Sequence, residues 1–449
     1  MTRQIMVQKK KMKINHVQSL EHKLKDGSAR IAVIGLGYVG LPLIVSFGKA
    51  GYRVSGIDVN PAKLREIQNG KTPVIGVLDS DLKNLIEKKL LDVTDNFSAL
   101  KQSDVVIICV PTPLSKSLDP DLSYIISATQ AIAENLKKGQ LIILESTTYP
   151  GTTEEILLPE FEKEGFKAGK DFFLCFSPER IDPGNKKFEL KDIPKVVGGI
   201  TEESTKLGAL LYQQVVSRVF PVSSPRVAEM AKLLENTFRI VNIGLVNELT
   251  TVAREMNIDM WEVIDAASTK PFGFMPFYPG PGIGGHCIGV DPIYLSWKAK
   301  FHGRDLRFIE IARQMNAEMP VHVTRKVGEM LNEQAVAVRG AKILVLGLAY
   351  KKDVDDTRES PAFAIVEKLL LQGAKISYHD PYISEVDING TKLKSIPLNA
   401  QAVKNSDLVL ITTDHTNVPY ELVAKNAKVI FDTRNVLKKI TNRKNIVRL

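Results

Sequence analysis

Short apolar runs alternate with helical patterns through the first half of the chain. Ile31–Ile34, Tyr52–Asp58, Asp104–Val110, Leu141–Glu145 and Phe172–Phe176 are strand-sized and mostly apolar. Runs of this kind are expected of strands buried on both faces of a parallel sheet, with helices covering them. A different texture begins at Ser224-Pro225, an N-cap residue followed by proline at the first helical position. From there to about Asn257 no further proline occurs and Gly244 is the one glycine. The apolar residues Met230, Leu233, Leu234, Phe238, Val241, Leu245 and Leu249 occupy more than one face of that helix. A helix so long and so broadly apolar is expected to be buried, as a domain connector and dimer core. Helical patterns resume over Leu306–Asn332.

Towards the C-terminus the opening pattern returns. Lys342-Ile-Leu-Val-Leu-Gly-Leu-Ala-Tyr350 echoes Ile31-Ala-Val-Ile-Gly-Leu-Gly-Tyr38, and Ser406–Thr412 echoes Ser103–Cys109. The pattern predicts an α/β chain in which two Rossmann-like doubly wound domains are joined by a central helical domain with one long helix. The expected parts are a basic tail at 1–28, a cofactor domain at 29–222, a helical and dimerisation domain at 223–332 and a second α/β domain at 333–449. The tail reads as mobile or as one loose amphipathic helix.

At 449 residues the chain is too long for a single core, and 44% hydrophobic with 25% charged residues is ordinary for a globular protein. The longest apolar runs are too short to span a bilayer, and the basic N-terminus has no apolar signal core. Three widely spaced cysteines argue against a disulfide framework and for a reducing, cytoplasmic setting. The net charge of +9 fits an anionic ligand, although much of it lies in Lys9, Lys10, Lys11, Lys13, Lys23 and Lys25 and in Lys438, Lys439, Arg443, Lys444 and Arg448. No zinc spacing and no basic patch interleaved with aromatics occurs, so neither a metal nor a nucleic-acid partner is expected.

Chemistry concentrates in a few places. Gly35-x-Gly37-x-x-Gly40 follows the first strand and opens the first helix. The first glycine makes the tight turn, the second admits a pyrophosphate, and the third packs helix on strand. Asp58, at the end of the next strand, stands where a carboxylate binds a ribose 2′-hydroxyl and repels a 2′-phosphate, which favours NAD over NADP. Thr112, Thr147 and Glu179 lie just beyond strand ends, where ligands of parallel sheets bind; each alone could equally be a loop polar group. Lys232 and Asn236 fall on one face of the long helix, as part of a site or as a rim pair without a role. Pro279-Gly-Pro-Gly-Ile-Gly-Gly-His-Cys-Ile-Gly-Val-Asp-Pro292 gathers glycines, among them Gly282 and Gly284, around Cys287, with Asp291 following. That stretch reads as a loop closely approached by a ligand and carrying a nucleophile, or as a tight turn with an inert thiol. Lys351, Lys352, Arg358 and Arg434, after strands of the second α/β domain, are suitable phosphate partners, or a solvated charged surface.

Together, Gly-Leu-Gly-Tyr38-Val39-Gly, the Ser-Pro-Glu179 turn, the lysine–asparagine helix, Gly-Gly-His-Cys and Lys351-Lys-Asp-Val-Asp-Asp-Thr-Arg-Glu-Ser resemble the UDP-glucose/GDP-mannose dehydrogenase family from about residue 29 to about residue 440. Lys270–Pro292 is similar to its UDP-N-acetylglucosamine 6-dehydrogenase branch. Gly289 departs from the proline usual after Gly-His-Cys-Ile, and no arginine lies between Arg254 and Arg304 to reach a neighbouring subunit's substrate. The resemblance implies oxidation of a sugar C6 alcohol through the aldehyde to the carboxylate, with two NAD consumed. Cys287 would carry the thiohemiacetal and thioester, Lys232 and Asn236 the oxyanions, and Asp291 with Thr147 the hydrolytic water. Glu179 would act as acid/base or thioester-handling group. It further implies NAD on Gly35–Gly40, Asp58, Lys63, Thr112 and Arg358. The UDP end of the sugar would lie on Lys351 and Arg434, with Tyr278 of the aromatic run Phe272–Tyr278 beside an acetamido methyl. UDP-N-acetylmannosamine or UDP-glucose as substrate, a one-step dehydrogenase, and a non-catalytic nucleotide-sugar binder remain as alternatives. A homodimer or higher homo-oligomer is expected.

Overall fold

The structure, a computed structural model, describes residues 15–74, 76–115, 117–181, 188, 190–440 and 444–449. The side chains of His286 and Cys287 lie outside that description, as does most of the basic tail. The chain divides into two compact units, one ending at Lys232 and the other running from Leu233 to Leu449.

The first unit is built on eight strands, β1 (Arg30–Ile34), β2 (Arg53–Ile57), β3 (Leu91–Thr94), β4 (Val105–Ile108), β5 (Gln140–Leu144), β6 (Phe172–Phe176), β7 (Lys195–Gly199) and β8 (Val219–Val222). They run in the order β3-β2-β1-β4-β5-β6-β7-β8, parallel throughout except between β6 and β7. Alternate residues feed opposite cores. Val105, Ile107, Leu141, Ile143, Phe173 and Cys175 enter one cluster, and Val106, Ile108, Ile142, Leu144, Leu174 and Phe176 the other. Every residue of β4, β5 and β6 is therefore buried, which explains their unbroken apolar runs. The covering helices are α1 (His16–Lys25), α2 (Gly40–Lys49), α3 (Pro61–Gln68), α4 (Asp79–Glu87), α5 (Ser123–Ala133), α6 (Leu158–Lys163) and α7 (Glu202–Tyr212). Part of the expected tail is thus a docked helix: Asn15 caps α1, and Leu20 and Leu24 are buried in the core.

Helix α8 (Pro225–Glu255) has 31 residues. It is less enclosed than its composition predicts. Ala228, Leu233, Ile240, Val246 and Ala253 are buried, while Met230, Leu234, Phe238, Leu245, Leu249 and Val252 are exposed. The apolar residues spread over more than one face, and a single chain covers only part of that surface.

The second unit contains α9 (Met260–Ala267), α10 (His286–Lys300) and α11 (Arg307–Asn332), followed by β9 (Lys342–Leu346), α12 (Pro361–Leu371), β10 (Lys375–His379), β11 (Glu385–Ile388), β12 (Thr391–Lys394), α13 (Ala400–Lys404), β13 (Leu408–Ile411), α14 (Tyr420–Asn426), β14 (Ile430–Asp432) and β15 (Ile446–Arg448). A parallel sheet of order β10-β9-β13-β14-β15 forms its base, with β11 and β12 as a separate hairpin. Within this unit α8 crosses α11 at Gly244, where an added Cβ would lie 3.1 Å from Cα of Ala312. Asn247 Nδ2 donates to Asn316 Oδ1 at 2.8 Å, and Asn247 Oδ1 accepts from the Gly280 amide at 3.0 Å. A buried amide pair thereby ties the glycine-rich stretch to the helix crossing.

Because backbone rather than a flexible side chain faces Gly244, Gly244→Val should cost about 1–3 kcal/mol. The check is a lower denaturant midpoint at unchanged slope relative to the parent chain.

Candidate active site

In the first unit, the turn after β1 is shaped by its own packing at two of its three glycines. Gly35 has φ +94°, and an added Cβ would lie 2.4 Å from the Cys109 carbonyl oxygen after β4. At Gly40 the added Cβ would lie 1.9 Å from the Gly35 carbonyl oxygen. At Gly37 it would meet nothing within 4 Å. The protein's own packing leaves Gly37 unexplained, whereas a ligand lying on the turn requires it. Tyr38 and Val39 complete the turn, with Val39 as the N-cap of α2. Asp58 is buried after β2; its Oδ2 accepts from the Leu36 amide at 2.9 Å and pairs with Lys63 Nζ at 2.6 Å. The carboxylate is thus aimed across the turn, with Lys63 beside it. These groups fit an adenosine ribose and a pyrophosphate.

A second polar group collects where β4, β5 and β6 end. Thr112 is buried and Thr147 partly so, while Ser146 Oγ donates to the Val110 carbonyl at 2.8 Å. The Thr147 loop is held from α8 by Glu229, which the sequence reading missed. Its Oε2 accepts from the Gly151 amide at 2.5 Å, and its Oε1 accepts from the Thr153 amide at 3.0 Å and hydroxyl at 2.7 Å. Lys232, buried, follows on the same helix. Glu179 is also buried, and Lys195 Nζ, another residue the reading missed, lies 2.9 Å from Glu179 Oε2 and 3.1 Å from Glu145 Oε2. Burial pushes the Glu145 carboxyl up. It would do the same to Glu179, but the Lys195 ammonium and the amides of Ile181 and Arg180 outweigh it and hold that carboxyl below the usual range.

In the second unit the glycine-rich stretch corrects the loop reading. It is irregular only as far as Gly285 (φ +81°), the N-cap of α10; from His286 onward, through Gly289, Asp291 and Pro292, it is helical. Cys287 therefore belongs to the first turn of a helix. Asp291 follows one turn later, buried, and Asn236 Nδ2 of α8 donates to its Oδ2 at 2.5 Å. The glycines serve close packing within the unit. An added Cβ would lie 2.9 Å from Pro361 Cβ at Gly282, 2.7 Å from Tyr350 Cβ at Gly284, and 2.7 Å from the Tyr350 ring at Gly285. The Gly285 amide donates to the Arg358 carbonyl at 3.0 Å, so the charged segment after β9 is joined to the start of α10.

Arg434, after β14, donates from Nε to the Thr412 carbonyl at 2.9 Å and lies against Gly280. Lys351 is half-buried after β9, and Arg358 grips Asp356 through Nε and Nη2. Tyr278 stacks on Trp261 at 5.3 Å and donates to Asp265 at 2.8 Å. The other two thiols, Cys109 and Cys175, are buried in the first unit, and burial pushes both up, which makes them poor nucleophiles. Among the described residues no group of His, Cys, Asp and Glu could hold a metal, and no helix is long and apolar enough to cross a membrane.

Comparison with known proteins matches three consecutive regions. Residues 29–216 match the NAD binding domain of the UDP-glucose/GDP-mannose dehydrogenase family, 226–318 its central domain and 344–439 its UDP binding domain. The chain belongs to that family. It is an NAD-dependent nucleotide-sugar dehydrogenase, and NAD is its cofactor. A UDP-N-acetyl-D-glucosamine 6-dehydrogenase of Pseudomonas aeruginosa is 40% identical over 80% of this chain and 84% of its own. A UDP-N-acetyl-D-mannosamine dehydrogenase of Pyrococcus horikoshii is 38% identical over 91% of this chain and 96% of its own. A solved structure of UDP-D-ManNAc dehydrogenase from the same organism superposes with a TM-score of 0.85 at 37% identity, covering 93% of this chain and 98% of that one.

Substitutions in this dehydrogenase should separate packing glycines from the ligand glycine. Gly40→Ala should destabilise the first unit, whereas Gly37→Ala should leave stability within about 0.5 kcal/mol; calorimetry should show NAD affinity of the Gly37 variant reduced at least about tenfold. Glu229→Gln presents an amide N–H to backbone donors and should cost about 1–3 kcal/mol, measured by thermal unfolding.

Proposed function

We propose that this dehydrogenase oxidises C6 of a UDP-N-acetylhexosamine twice, to the uronic acid, with UDP-N-acetylglucosamine favoured. The observation that carries this reading is the buried Asn236–Asp291 pair one helical turn beyond Cys287. A single oxidation of an alcohol needs no thiol. An aldehyde, by contrast, yields a hydride only after a nucleophile has added to it.

NAD, when bound, accepts one hydride from C6 in each oxidation. In the first, the C6 hydroxyl also loses its proton and becomes the aldehyde. The Cys287 thiolate then adds to the carbonyl carbon, and the oxyanion so formed is stabilised by Lys232 and by the second amide hydrogen of Asn236. Loss of the second hydride leaves a thioester. Water, oriented by Asp291 and Thr147, adds its oxygen to the thioester carbon as the C–S bond breaks, returning the thiolate and releasing the carboxylate, with the two protons passing to solvent. Glu179 acts as acid/base or thioester-handling group. Gly35–Gly40, Asp58, Lys63 and Thr112 hold the cofactor, together with Arg358. Lys351, Arg434 and the backbone of Gly282 and Gly284 hold the UDP-sugar, with Tyr278 on the acetamido side.

The exposed apolar stripe of α8 supports a homodimer or higher homo-oligomer. The three unpaired-spacing cysteines support work in the reducing cytoplasm, where the product would feed surface polysaccharide synthesis. UDP-N-acetylmannosamine is the second reading, favoured by the Pyrococcus horikoshii relative that matches over 91% of the chain.

The test is incubation with NAD and each of UDP-N-acetylglucosamine, UDP-N-acetylmannosamine and UDP-glucose, with products identified by mass spectrometry. We expect the acetylglucosamine uronate and two NADH per sugar; oxidation of UDP-glucose alone would refute the assignment to an N-acetylhexosamine. Cys287→Ser should abolish acid product. Asp291→Asn should lower kcat by about 10²–10⁴-fold, with a smaller change in the sugar KM.

A further inference from the structure

Glu179 belongs to a buried ionic cluster in the first unit whose other members, Lys195 and Glu145, the reaction steps above leave without a role. Lys195, the first residue of β7, is 2% exposed, yet it is charged. Its Nζ lies 2.9 Å from Glu179 Oε2, 3.1 Å from Glu145 Oε2 and 3.3 Å from the Pro178 carbonyl oxygen, and 5.1 Å above the ring of Tyr212. Tyr212 in turn donates from its hydroxyl to Glu145 Oε1. The other oxygen of Glu179, Oε1, accepts from the Arg180 and Ile181 amides at 2.6 Å each. The Arg180 side chain points elsewhere, donating from Nη1 to the Pro194 carbonyl at 2.7 Å.

A buried ammonium with two carboxylates is expensive to desolvate and is weak evidence for stability. Its location suggests another purpose. Glu145 ends β5, Glu179 follows β6 and Lys195 begins β7, so the cluster lies at the edge where parallel sheets place their ligands. A carboxylate has about four acceptor positions. Among the described residues, two amides and the ammonium fill three on Glu179.

We propose that Lys195 is a positioning residue: shared with Glu145, its ammonium fixes Glu179 as a standing negative charge, oriented for its part in the reaction. The inference rests on the reading of the site given above. Among the described residues, the groups around Glu179 are Lys195 from β7 and Glu145 just after β5, with Tyr212 of α7 on Glu145 and Cys109 just after β4. Burial opposes the Lys195 charge, but Glu145 and Glu179 outweigh it and raise the ammonium above the usual lysine range. Burial likewise pushes the Tyr212 hydroxyl and the Cys109 thiol well up, so both stay neutral. Lys195 is then the one cation among these groups, and its removal lets the Glu179 carboxyl rise.

The test uses full-length Lys195→Met and Lys195→Arg enzymes under saturating NAD. For Lys195→Met we expect kcat for acid formation to fall at least about tenfold, with sugar KM changed by less than about threefold. Its acidic limb of kcat should move to higher pH by about one unit or more, since the carboxyl has lost its cation. Lys195→Arg keeps the charge and should restore the parent profile. A folded Lys195→Met enzyme with parental kcat and pH profile would overturn the proposal. If that variant does not fold, infrared titration of the parent against Glu179→Gln decides: the Glu179 band should stay that of an ionised carboxylate to below the usual range, and a protonated band near neutrality refutes the idea. The infrared measurement needs no substrate. Failure of every UDP-sugar to react would therefore count against the functional reading and leave this inference to stand or fall separately.

Discussion

The turn after the first strand of each sheet is a place where two pieces of backbone touch with no side chain between them. After β1, Gly35 lies against the Cys109 carbonyl; after β9, Gly347 (φ +88°) lies against Thr413, whose carbonyl oxygen an added Cβ would approach to 2.8 Å. Both turns are closed by an aspartate from the adjoining strand. Asp58 accepts from the Leu36 amide at 2.9 Å, and Asp380 accepts from the Leu348 amide at 2.7 Å. Everything that follows each first strand, helix and strand-end loops alike, is placed by this contact between neighbouring strands at the point where the strand order reverses.

The two units spend the same device differently. Asp58 keeps Lys63 beside it and faces a turn whose middle glycine, Gly37, has open space above it. Asp380 is saturated from within: Leu348 and Ala349 donate to Oδ2, Tyr382 and Ile383 donate to Oδ1, and the fully buried His415 adds a contact at 3.1 Å. Since His415 Nδ1 accepts from the Asp353 amide at 3.0 Å, the proton of the neutral ring lies on Nε2, towards Asp380. The degraded glycine pattern, with Ala349 and Lys352 at the second and third positions, agrees with a turn that binds its own aspartate rather than a dinucleotide.

Much of this was legible from residue order. The β-branched runs gave the buried strands, Gly35–Gly40 with Asp58 gave the cofactor turn, and Ser224-Pro225 gave the start of α8 within a residue. The helix at His286–Lys300 was hidden because Gly289 and Pro292 both argue against one locally, and only packing within the unit holds it. Glu229 and Lys195 were hidden for another reason. Each lies amid an unremarkable run of sequence, and its partners are residues 151–153 in one case and 145 and 179 in the other, so only the folded sheet brings them together. The apolar face of α8 was visible as composition, but composition does not say which part a single chain leaves uncovered.

The sealing of Asp380 by His415 bears on how the two nucleotides are told apart. At the second sheet Asp380 holds two backbone amides on each oxygen besides His415, whereas Asp58 holds one amide on each together with Lys63. Repeating one fold twice in a chain thus leaves the two aspartates with unequal room for a further donor, and the imidazole behind Asp380 adds to the difference.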